Sequence, residues 1–371
     1  MSTDVNEDVP WLKRHREVQK LVTTISRLKH IYVFSSEDII KVVGERYNRV
    51  KRRKPGAYGR KDLELRRLET VYNTVYSRLS KIARLPSLKE MSSFHRALVE
   101  SFVGLDYEKS LQNVRKALRL IRRFWEEYRL LIVSSNDSKE ASRYRREGSG
   151  RILSVVRRLR RDLELLRKVR NELLHTHIVS EGLPIIVVAG IPSSGKSTLV
   201  KRLSTAQPEI APYPFTTKTI IVGKSRFRDV EFYLVDTPGI LERPSSEQNE
   251  IEKKAFAAIA SLPDVLIYLF DPSEERVQGI EAQVHLLRDI YTNIIKQNKI
   301  GLIIAINKID IANNENIVSN IANTIRDVLM YDNTCSKEII KISALTGQGV
   351  NELLESIYSC LRKTTPWLFI Q

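Results

Sequence analysis

The sequence predicts two domains of different class, an all-α helical bundle followed by an α/β domain whose sheet is mostly parallel. Three observations support this. Long segments of the first half repeat apolar residues every three or four positions, the second half alternates short β-branched runs with helical patterns, and all excess positive charge lies in the first half. The length of 371 residues suits two domains, and we predict the bundle over 1–178 and the α/β domain over 179–371.

The helices of the first half are predicted from their apolar stripes. Between 106 and 132 the stripe holds Leu111, Val114, Leu118 and Ile121. The same periodicity predicts helices over 62–83, 88–102 and 151–177, and two more within 9–51. Helices with one apolar face and short connections pack into a bundle, because each buries its stripe against its neighbours.

Two segments interrupt this helical pattern. Residues 51–61 are basic, and Pro55, Gly56 and Gly59 predict a turn there. Residues 134–150 are polar and contain Gly-Ser-Gly, which predicts a loop or a broken helix.

The net charge of +17 is unevenly distributed along the chain. Residues 1–180 hold 41 Lys+Arg against 22 Asp+Glu, whereas residues 181–371 hold 20 against 22. A cationic half of this strength favours a polyanionic partner, and the alternative interpretation is a solvated basic helix surface.

The remaining composition bears on location. We find no run of about 18 apolar residues, so we expect no membrane span, and the acidic, polar start is unlike a signal peptide. Cys335 and Cys360 lack metal-ligand spacing, and we expect neither to have a role beyond packing. We therefore expect a cytoplasmic protein.

Strand patterns begin after Gly182. Six strands are predicted, over 184–189, 219–222, 230–235, 264–270, 301–306 and 338–342. Helices are predicted over about 196–205, 249–260, 278–297, 315–330 and 350–362. This alternation predicts a six-stranded, mostly parallel sheet with helices on both faces.

The first of these strands leads into Gly190-Ile-Pro-Ser-Ser-Gly-Lys-Ser197, which fits the phosphate-loop pattern G-x-x-x-x-G-K-[ST] between a strand and a helix. Its backbone N–H groups are expected to converge on a phosphate at the helix N-terminus. Lys196 would add charge at the β- and γ-phosphates, and the Ser197 hydroxyl would bind Mg²⁺. The predicted nucleotide contacts of the loop are Gly190, Pro192, Ser193, Ser194, Gly195, Lys196, Ser197 and Thr198.

Two later segments have the character of nucleotide-dependent switches. Asp236-Thr-Pro-Gly239 ends a strand, so we expect Asp236 to hold Mg²⁺ through water and the Gly239 N–H to contact the γ-phosphate. Within Tyr213-Pro-Phe-Thr-Thr-Lys218, a threonine would bind Mg²⁺ and the γ-phosphate together. We favour Thr217 over Thr216, and a threonine-rich strand start is the alternative. The predicted catalytic residues are Lys196, Thr217 and Gly239, and the predicted metal ligands are Ser197, Thr217 and Asp236.

Asn307-Lys-Ile-Asp310 follows the strand at 301–306. The Asp310 carboxylate can accept two hydrogen bonds that guanine offers and adenine does not, and a site built this way rejects the other base strongly. Lys308 would lie over the base plane, and a backbone N–H of Ser343-Ala344-Leu345 would reach the guanine O6. These motifs, in this order and at strand ends, predict a P-loop GTPase domain that binds GTP and GDP with Mg²⁺.

The combination of Gly190–Ser197, Tyr213–Lys218 and Asp236–Gly239 resembles the Obg-like GTPases. Within them it most resembles the NOG-type branch, because Val235–Pro244 is similar to that branch's extended switch and Asp271-Pro-Ser-Glu274 to its fourth-strand segment. The resemblance covers nearly the whole chain. Since the chain ends with the GTPase domain, it resembles the compact archaeal form.

The resemblance implies a role in assembly of the large ribosomal subunit, with the helical domain docked on ribosomal RNA. Two departures concern mechanism. Ser193 stands where relatives carry an Asn that helps hold potassium, so we do not expect potassium activation. Ile240 stands where signalling GTPases carry a water-orienting Gln, so we expect slow intrinsic hydrolysis.

The predicted partner is therefore ribosomal RNA or a precursor of the large ribosomal subunit, with no DNA, no membrane and a monomer away from the ribosome. The candidate RNA contacts are Arg52, Arg53, Lys54, Arg157, Arg158, Arg160 and Arg161. Two alternatives stay open. One is a GTPase whose basic helices act at a membrane surface. The other is a tRNA-modifying GTPase, although the tail 364–371 lacks a reactive cysteine.

Overall fold

The computed structural model divides into two compact units. It describes residues 10–52, 56–175, 182–212, 219–248, 253, 256, 258–312, 315–325, 335 and 338–369. The sheet unit comprises Met1–Thr23, Met91–Phe102 and His175–Gln371, and the helical unit comprises Thr24–Glu90 and Val103–Leu174. The domain boundary predicted after 178 follows composition, whereas these units follow packing, so two helical segments from the first half group with the sheet.

Helices account for nearly all of residues 10–175. They are α1 Pro10–His30, α2 Ser36–Asn48, α3 Gly56–Ile82, α4 Ser93–Val103, α5 Asp106–Ser134, α6 Ser138–Arg158 and α7 Arg160–Leu174. In the helical unit α3, α5 and α6 pack against one another, with Leu68, Val75, Leu111 and Ile121 fully buried between them. The predicted bundle therefore forms from the apolar stripes that the sequence displays.

The segment predicted as a loop or broken helix at 134–150 is mostly helical. Asp137 caps α6 by accepting hydrogen bonds from the N–H groups of Lys139 and Glu140. Gly148 lies inside this helix because α5 approaches closely, and a Cβ there would lie 2.7 Å from Cγ of Tyr128. Gly148 therefore permits close packing rather than marking a turn, whereas nothing lies within 4 Å of a Cβ at Gly150.

Two other boundaries differ from prediction. The helix predicted over 151–177 is divided, because α6 ends at Arg158 and α7 begins at Arg160. The turn predicted over 51–61 is helical from Gly56 onward, where α3 begins, and 53–55 lie outside the described residues.

The sheet unit contains a seven-stranded sheet of order β2-β3-β4-β1-β5-β6-β7. The strands are β1 Ile185–Ala189, β2 Glu209–Pro212, β3 Thr219–Phe227, β4 Val230–Asp236, β5 Val265–Phe270, β6 Gly301–Ile306 and β7 Ile340–Lys341. β4, β1, β5, β6 and β7 run parallel, and the β3–β4 and β2–β3 pairs are antiparallel. The sequence missed β2, a short edge strand with exposed Ile210 and a terminal proline.

Helices cover this sheet. They are α8 Lys196–Leu203, α9 Ile280–Ile290, α10 Glu315–Thr324 and α11 Val350–Thr364, and α9 continues through a π-helical segment Tyr291–Ile295. Strands β1, β5 and β6 are buried along their whole length, as expected for parallel strands covered on both faces. The loops that follow β1, β4, β5 and β6 form one edge of the sheet, which we call the carboxyl edge, and the starts of β1, β5 and β6 form the amino edge.

A buried ion pair lies at the amino edge. Asp264, 3% exposed, precedes β5 and accepts a hydrogen bond from the Ile185 N–H of β1 at 2.8 Å. Arg14 of α1 donates from Nε to Asp264 Oδ1 at 2.6 Å, and its Nη groups donate to the carbonyl oxygens of Ser261 and Leu262. One guanidinium thus attaches the first helix to the starts of two strands.

The cysteine prediction is wrong. Cys335 and Cys360 form a disulfide, with Cα atoms 5.3 Å apart, which links the segment before β7 to α11. The sequence places them 25 residues apart, and only the fold brings them together over Gly301. Among the described residues, no helix has both the length and the apolarity needed to cross a bilayer.

Candidate functional site

A tight loop joins β1 to α8 at the carboxyl edge. Gly190 opens it with φ 146°, and a Cβ there would lie 2.6 Å from the Leu269 carbonyl oxygen. Gly195 precedes α8 with φ 92°, and a Cβ there would lie 2.2 Å from Asn307 Nδ2. Glycine is required at both positions because any side chain would strain the backbone and would meet β5 at Gly190 or Asn307 at Gly195. Ser193 also adopts a positive φ, of 63°.

The lysine of the loop folds back over it. Lys196 is 5% exposed, and its Nζ donates to the carbonyl oxygens of Gly190 and Ile191 at 3.0 and 2.8 Å. The same Nζ lies 2.8 Å from Oε1 of Glu242, whose side chain is 16% exposed. The ammonium is therefore held above the loop, next to the segment that follows β4.

Ser197 and Asp236 meet beside this lysine. The Ser197 hydroxyl donates to Asp236 Oδ2 at 2.5 Å, and Asp236 is fully buried at the end of β4. Within the described part of the chain, Asp236 Oδ1 is buried without a hydrogen-bond partner, as are the hydroxyls of Ser194 and Thr237. Burial raises the pKa of the Asp236 carboxyl, and the Ser197 hydroxyl and Lys196 ammonium oppose that rise.

The segment after Asp236 is anchored to the sheet unit. Gly239 has φ 71°, and the following Ile240 is buried with 1% exposure. Gln248 donates from Nε2 to the carbonyl oxygens of Ile240 and Arg243, both at 3.1 Å. Ser245 donates from its N–H and hydroxyl to the Asp289 carboxylate of α9. The Ile240 side chain therefore belongs to the core.

The other predicted switch, Tyr213–Lys218 with Thr216 and Thr217, lies outside the described residues. Of the remaining predicted phosphate-loop contacts, Pro192 is half-buried and Thr198 is exposed at the start of α8.

Asn307 connects two loops of the carboxyl edge. Its Nδ2 donates to the Ser194 carbonyl oxygen at 2.8 Å, and its Oδ1 accepts from the Ala344 N–H at 2.8 Å. Arg202 of α8 donates to the carbonyl oxygens of Ala344 and Leu345. The phosphate loop and the loop after β7 are therefore held in register by one buried amide and one guanidinium.

The other residues of the two base motifs surround this link. Lys308 has φ 60°, and its Nζ donates to Asp271 Oδ2 at 2.6 Å. Asp310 is exposed, Ser343 is buried, and Leu345 is 69% exposed. The Ser343 N–H donates to the Gln348 carbonyl oxygen and the Ala344 N–H to Asn307, so within Ser343-Ala344-Leu345 the Leu345 N–H is the one with no described acceptor.

Models of known protein families match both halves of the chain. A model described as the NOG1 N-terminal helical domain matches residues 27–179, and one described as a 50S ribosome-binding GTPase matches residues 185–308. An uncharacterised protein of Methanocaldococcus jannaschii is 34% identical over 257 residues, which cover 69% of this chain and 71% of that protein. The chain belongs to the NOG1 family of GTPases.

Curated eukaryotic relatives of this NOG1-family chain are named nucleolar GTP-binding protein 1. The protein of Caenorhabditis elegans is 29% identical over 287 residues, which cover 77% of this chain and 41% of that protein. The protein of Saccharomyces cerevisiae is 30% identical over 233 residues, with coverage of 62% and 36%. The NOG1-family chain thus spans less than half the length of these relatives.

Three residues of this NOG1-family site carried no predicted role. Glu242 pairs with Lys196, Asp271 pairs with Lys308, and Arg202 holds the loop after β7. The sequence could have indicated Asp271, because it directly follows a buried parallel strand at the edge where ligands bind. The sequence could not indicate Glu242 and Arg202, because their partners lie 46 and 142 positions away and are brought close only by the fold.

Proposed function

We propose that this NOG1-family protein is a slow GTP-hydrolysing switch that acts in assembly of the large ribosomal subunit and binds ribosomal RNA through its helical unit. The observation that carries the GTP part is the link through Asn307 between the phosphate loop and the base motifs. The names of the relatives, nucleolar GTP-binding protein 1, and the matched 50S ribosome-binding GTPase description support the ribosomal part.

The phosphate side of the site suits a triphosphate with Mg²⁺. A magnesium ion prefers oxygen ligands, and the buried, unpartnered Asp236 Oδ1 beside the Ser197 hydroxyl provides them. When bound, Mg²⁺ would neutralise phosphate charge. Lys196 would hold the β- and γ-phosphates, and Thr217 remains the proposed switch ligand. Because Glu242 shares the Lys196 ammonium, phosphate contact and the position of the segment after β4 would be coupled.

Slow turnover follows from the buried position of Ile240. A side chain with 1% exposure, in a segment clamped by Gln248, can neither reach nor orient an attacking water. Gly239 stays the proposed γ-phosphate contact. Ser193 has a hydroxyl where an amide would be needed for a potassium site, so we propose that hydrolysis does not depend on potassium.

The base side would recognise guanine. The exposed Asp310 carboxylate is free to accept from the guanine N1–H and 2-amino group, and the Leu345 N–H is placed to donate to O6. Lys308, held by Asp271, would cover one face of the base.

The helical unit carries a cationic groove of about 500 Å³ between the end of α2 and α3. Arg46, Arg49, Lys51 and Arg66 line it, with Glu69 as the only acidic lining residue described. Neither Arg46 nor Arg49 forms an ion pair with a described residue through its side chain. Arg66 is already paired with Asp62 at 3.0 Å, so the charge of this groove that suits a phosphodiester backbone lies mainly on Arg46 and Arg49.

The candidate RNA contacts differ in their surroundings. Arg157, Arg158 and Arg161 are exposed, whereas Arg160 is paired with Glu164 at 3.1 Å and Glu37 at 3.4 Å. The exposed Arg52 donates to the Gly56 carbonyl oxygen, and Arg53 and Lys54 lie outside the described residues. We therefore place the first RNA test at the groove rather than at these positions.

Binding to large-subunit ribosomal RNA at several salt concentrations tests the RNA part. Replacing Arg46 and Arg49 by Ala should reduce the slope of log K against log salt by roughly 1.4 to 1.8, the value for two lost phosphate contacts. The matched control replaces Arg122 and Arg143, which are already paired with Glu126 and with Glu140 and Glu147. An equal decrease of this slope in the control variant would show that the groove is not the specific RNA contact.

The guanine part is tested by Asp310→Asn. The amide can pair with xanthine and not with guanine, so GDP binding should weaken by roughly 100-fold while xanthosine diphosphate binding strengthens. Unchanged GDP affinity, without a gain for the xanthine nucleotide, would contradict the assignment of Asp310.

A further inference from the structure

Asp271 is a buried carboxylate at the end of β5 with both oxygens occupied. It is fully buried, and its Oδ1 accepts from the Ser273 N–H at 3.0 Å and the Ser273 hydroxyl at 2.6 Å. Its Oδ2 accepts from Lys308 Nζ at 2.6 Å. The carboxylate therefore cannot rotate without losing its hydrogen bonds to Ser273 or to Lys308.

The backbone of Asp271 is fixed as firmly as its side chain. Gln283 of α9, fully buried, accepts from the Asp271 N–H through Oε1 and donates to the Asp271 carbonyl oxygen through Nε2, both at 2.9 Å. The Tyr268 hydroxyl donates to the Gln283 carbonyl oxygen at 2.6 Å. A buried network of this kind gives a rigid anchor.

The anchor acts on the conformation of Lys308. This residue has a left-handed backbone conformation with φ 60° and a side chain that is 24% exposed. Its ammonium is bound by Asp271 Oδ2. A free lysine side chain loses rotamer entropy when it is ordered. The ion pair with Asp271 orders the Lys308 side chain before a ligand binds, so its methylene stem forms a fixed apolar surface between Asn307 and Asp310. The entropy cost of ordering this side chain is therefore absent from ligand binding.

We propose that Asp271 is a positioning residue for base recognition: it holds the Lys308 stem as a preformed surface for the flat face of the purine. The inference rests on the guanine binding proposed above. It predicts that Asp271 contributes to affinity for the base and not for the phosphates, since its contacts lie with Lys308 and not with Lys196, Ser197 or Asp236.

The test compares two probes, GDP with Mg²⁺ and inorganic tripolyphosphate with Mg²⁺, by titration calorimetry on the full chain. Asp271→Asn keeps the size of the side chain and can still accept from Ser273, but it no longer attracts the ammonium. GDP should bind about tenfold more weakly, in keeping with the entropy of one released lysine. Tripolyphosphate affinity should not change.

A double-mutant cycle with Lys308→Met separates positioning from a general structural effect. Methionine keeps an apolar stem of similar length and has no ammonium to pair with Asp271. Lys308→Met alone should weaken GDP about tenfold, and adding Asp271→Asn should weaken it no further. If Asp271→Asn does not fold, Lys308→Met decides alone, and unchanged GDP affinity in that variant would overturn the proposal.

Two further results would overturn it: an equal loss for GDP and tripolyphosphate in Asp271→Asn, or the same additional loss in the Lys308→Met background. Failure of the proposed function looks different. Wild-type protein would then bind GDP no more tightly than ADP, and both proposals would fall together.

Discussion

The two edges of the sheet treat their buried polar groups differently. At the amino edge the Asp264 carboxylate is met by Arg14 and by the Ile185 N–H. At the carboxyl edge, within the described residues, Asp236 Oδ1 and the hydroxyls of Ser194 and Thr237 are buried without partners. Buried polar atoms without partners cost roughly 1 to 3 kcal/mol each. Among the described residues of the sheet unit, such atoms lie at this edge or, with Gln248 Oε1, in the segment after β4, which indicates groups that a ligand could satisfy.

The backbone does not repeat this contrast. Positive φ values occur at Gly190, Gly195, Gly239 and Lys308 in loops of the carboxyl edge, and also at Gly182 and Lys299 before β1 and β6 at the amino edge. At the amino edge the covalent link between Cys335 and Cys360 adds a constraint that does not involve the nucleotide motifs. Variants at the amino edge should therefore change stability alone, and variants at the carboxyl edge should change binding.

The largest effect is expected for Arg14→Ala. It leaves Asp264, whose side chain is 1% exposed, without its cation, and unfolding free energy should fall by about 4 kcal/mol. The measurement is urea unfolding, with the transition of the sheet unit identified by its shift with GDP. GDP affinity should not change. Arg122→Ala, which removes an exposed pair with Glu126, should leave the unfolding free energy nearly unchanged. A weakened GDP affinity of the Arg14→Ala variant would show that the amino edge also affects nucleotide binding.

Lys196→Ala, at the carboxyl edge, should weaken nucleotide binding and leave stability nearly unchanged. Loss of a charge-assisted contact to the phosphates should cost about 3 kcal/mol of GTP binding, a decrease of more than roughly 100-fold, with little change in unfolding. Fluorescent-nucleotide titration measures this. The control is Lys201→Ala on the exposed side of α8. If both variants bind GTP alike, the phosphate-loop assignment is wrong.

Reduction of the Cys335–Cys360 disulfide should lower the unfolding free energy of the sheet unit by about 3 kcal/mol, because the bond closes a loop of 25 residues. Urea unfolding with and without reductant checks this, and the variant with both cysteines replaced by Ser should be insensitive to reductant. GDP affinity should be equal in both forms. A reductant-dependent GDP affinity would show that the disulfide is coupled to the nucleotide loops.

The smallest effect concerns pH. His95 of α4 is fully buried beside Ser92, and burial lowers its pKa to about 3. Its neutral form stabilises the fold fully above the unfolded pKa near 6.5, and this stability is lost as pH falls from there toward 3. Between pH 7 and 5 the loss should be about 2 kcal/mol. His95→Gln should remove this part of the pH dependence, and an unchanged pH profile in that variant would assign it to other groups.

Much of this site was predictable from sequence because its chemistry is local. Gly190–Ser197 specifies a loop by itself, since glycine at fixed positions and a following helix set the geometry. Asn307, Lys308 and Asp310 could be placed at the carboxyl edge because a buried strand precedes them and parallel strands end at one edge. The apolar stripes of α3 and α5 likewise predicted a bundle, although Gly148 was misread as a break.

What the sequence could not supply are pairings between distant positions. Arg14 carries the same charge as its many basic neighbours in the first half, and nothing local distinguishes it as the partner of Asp264, 250 positions away. The disulfide, the Lys196–Glu242 pair and the Lys308–Asp271 pair have the same character. Periodicity and motif spacing determined the fold class and the nucleotide chemistry of this protein, because both depend on short-range geometry. Which charges are neutralised and which stay available was decided by tertiary structure, because burial and distance exist only in the folded chain.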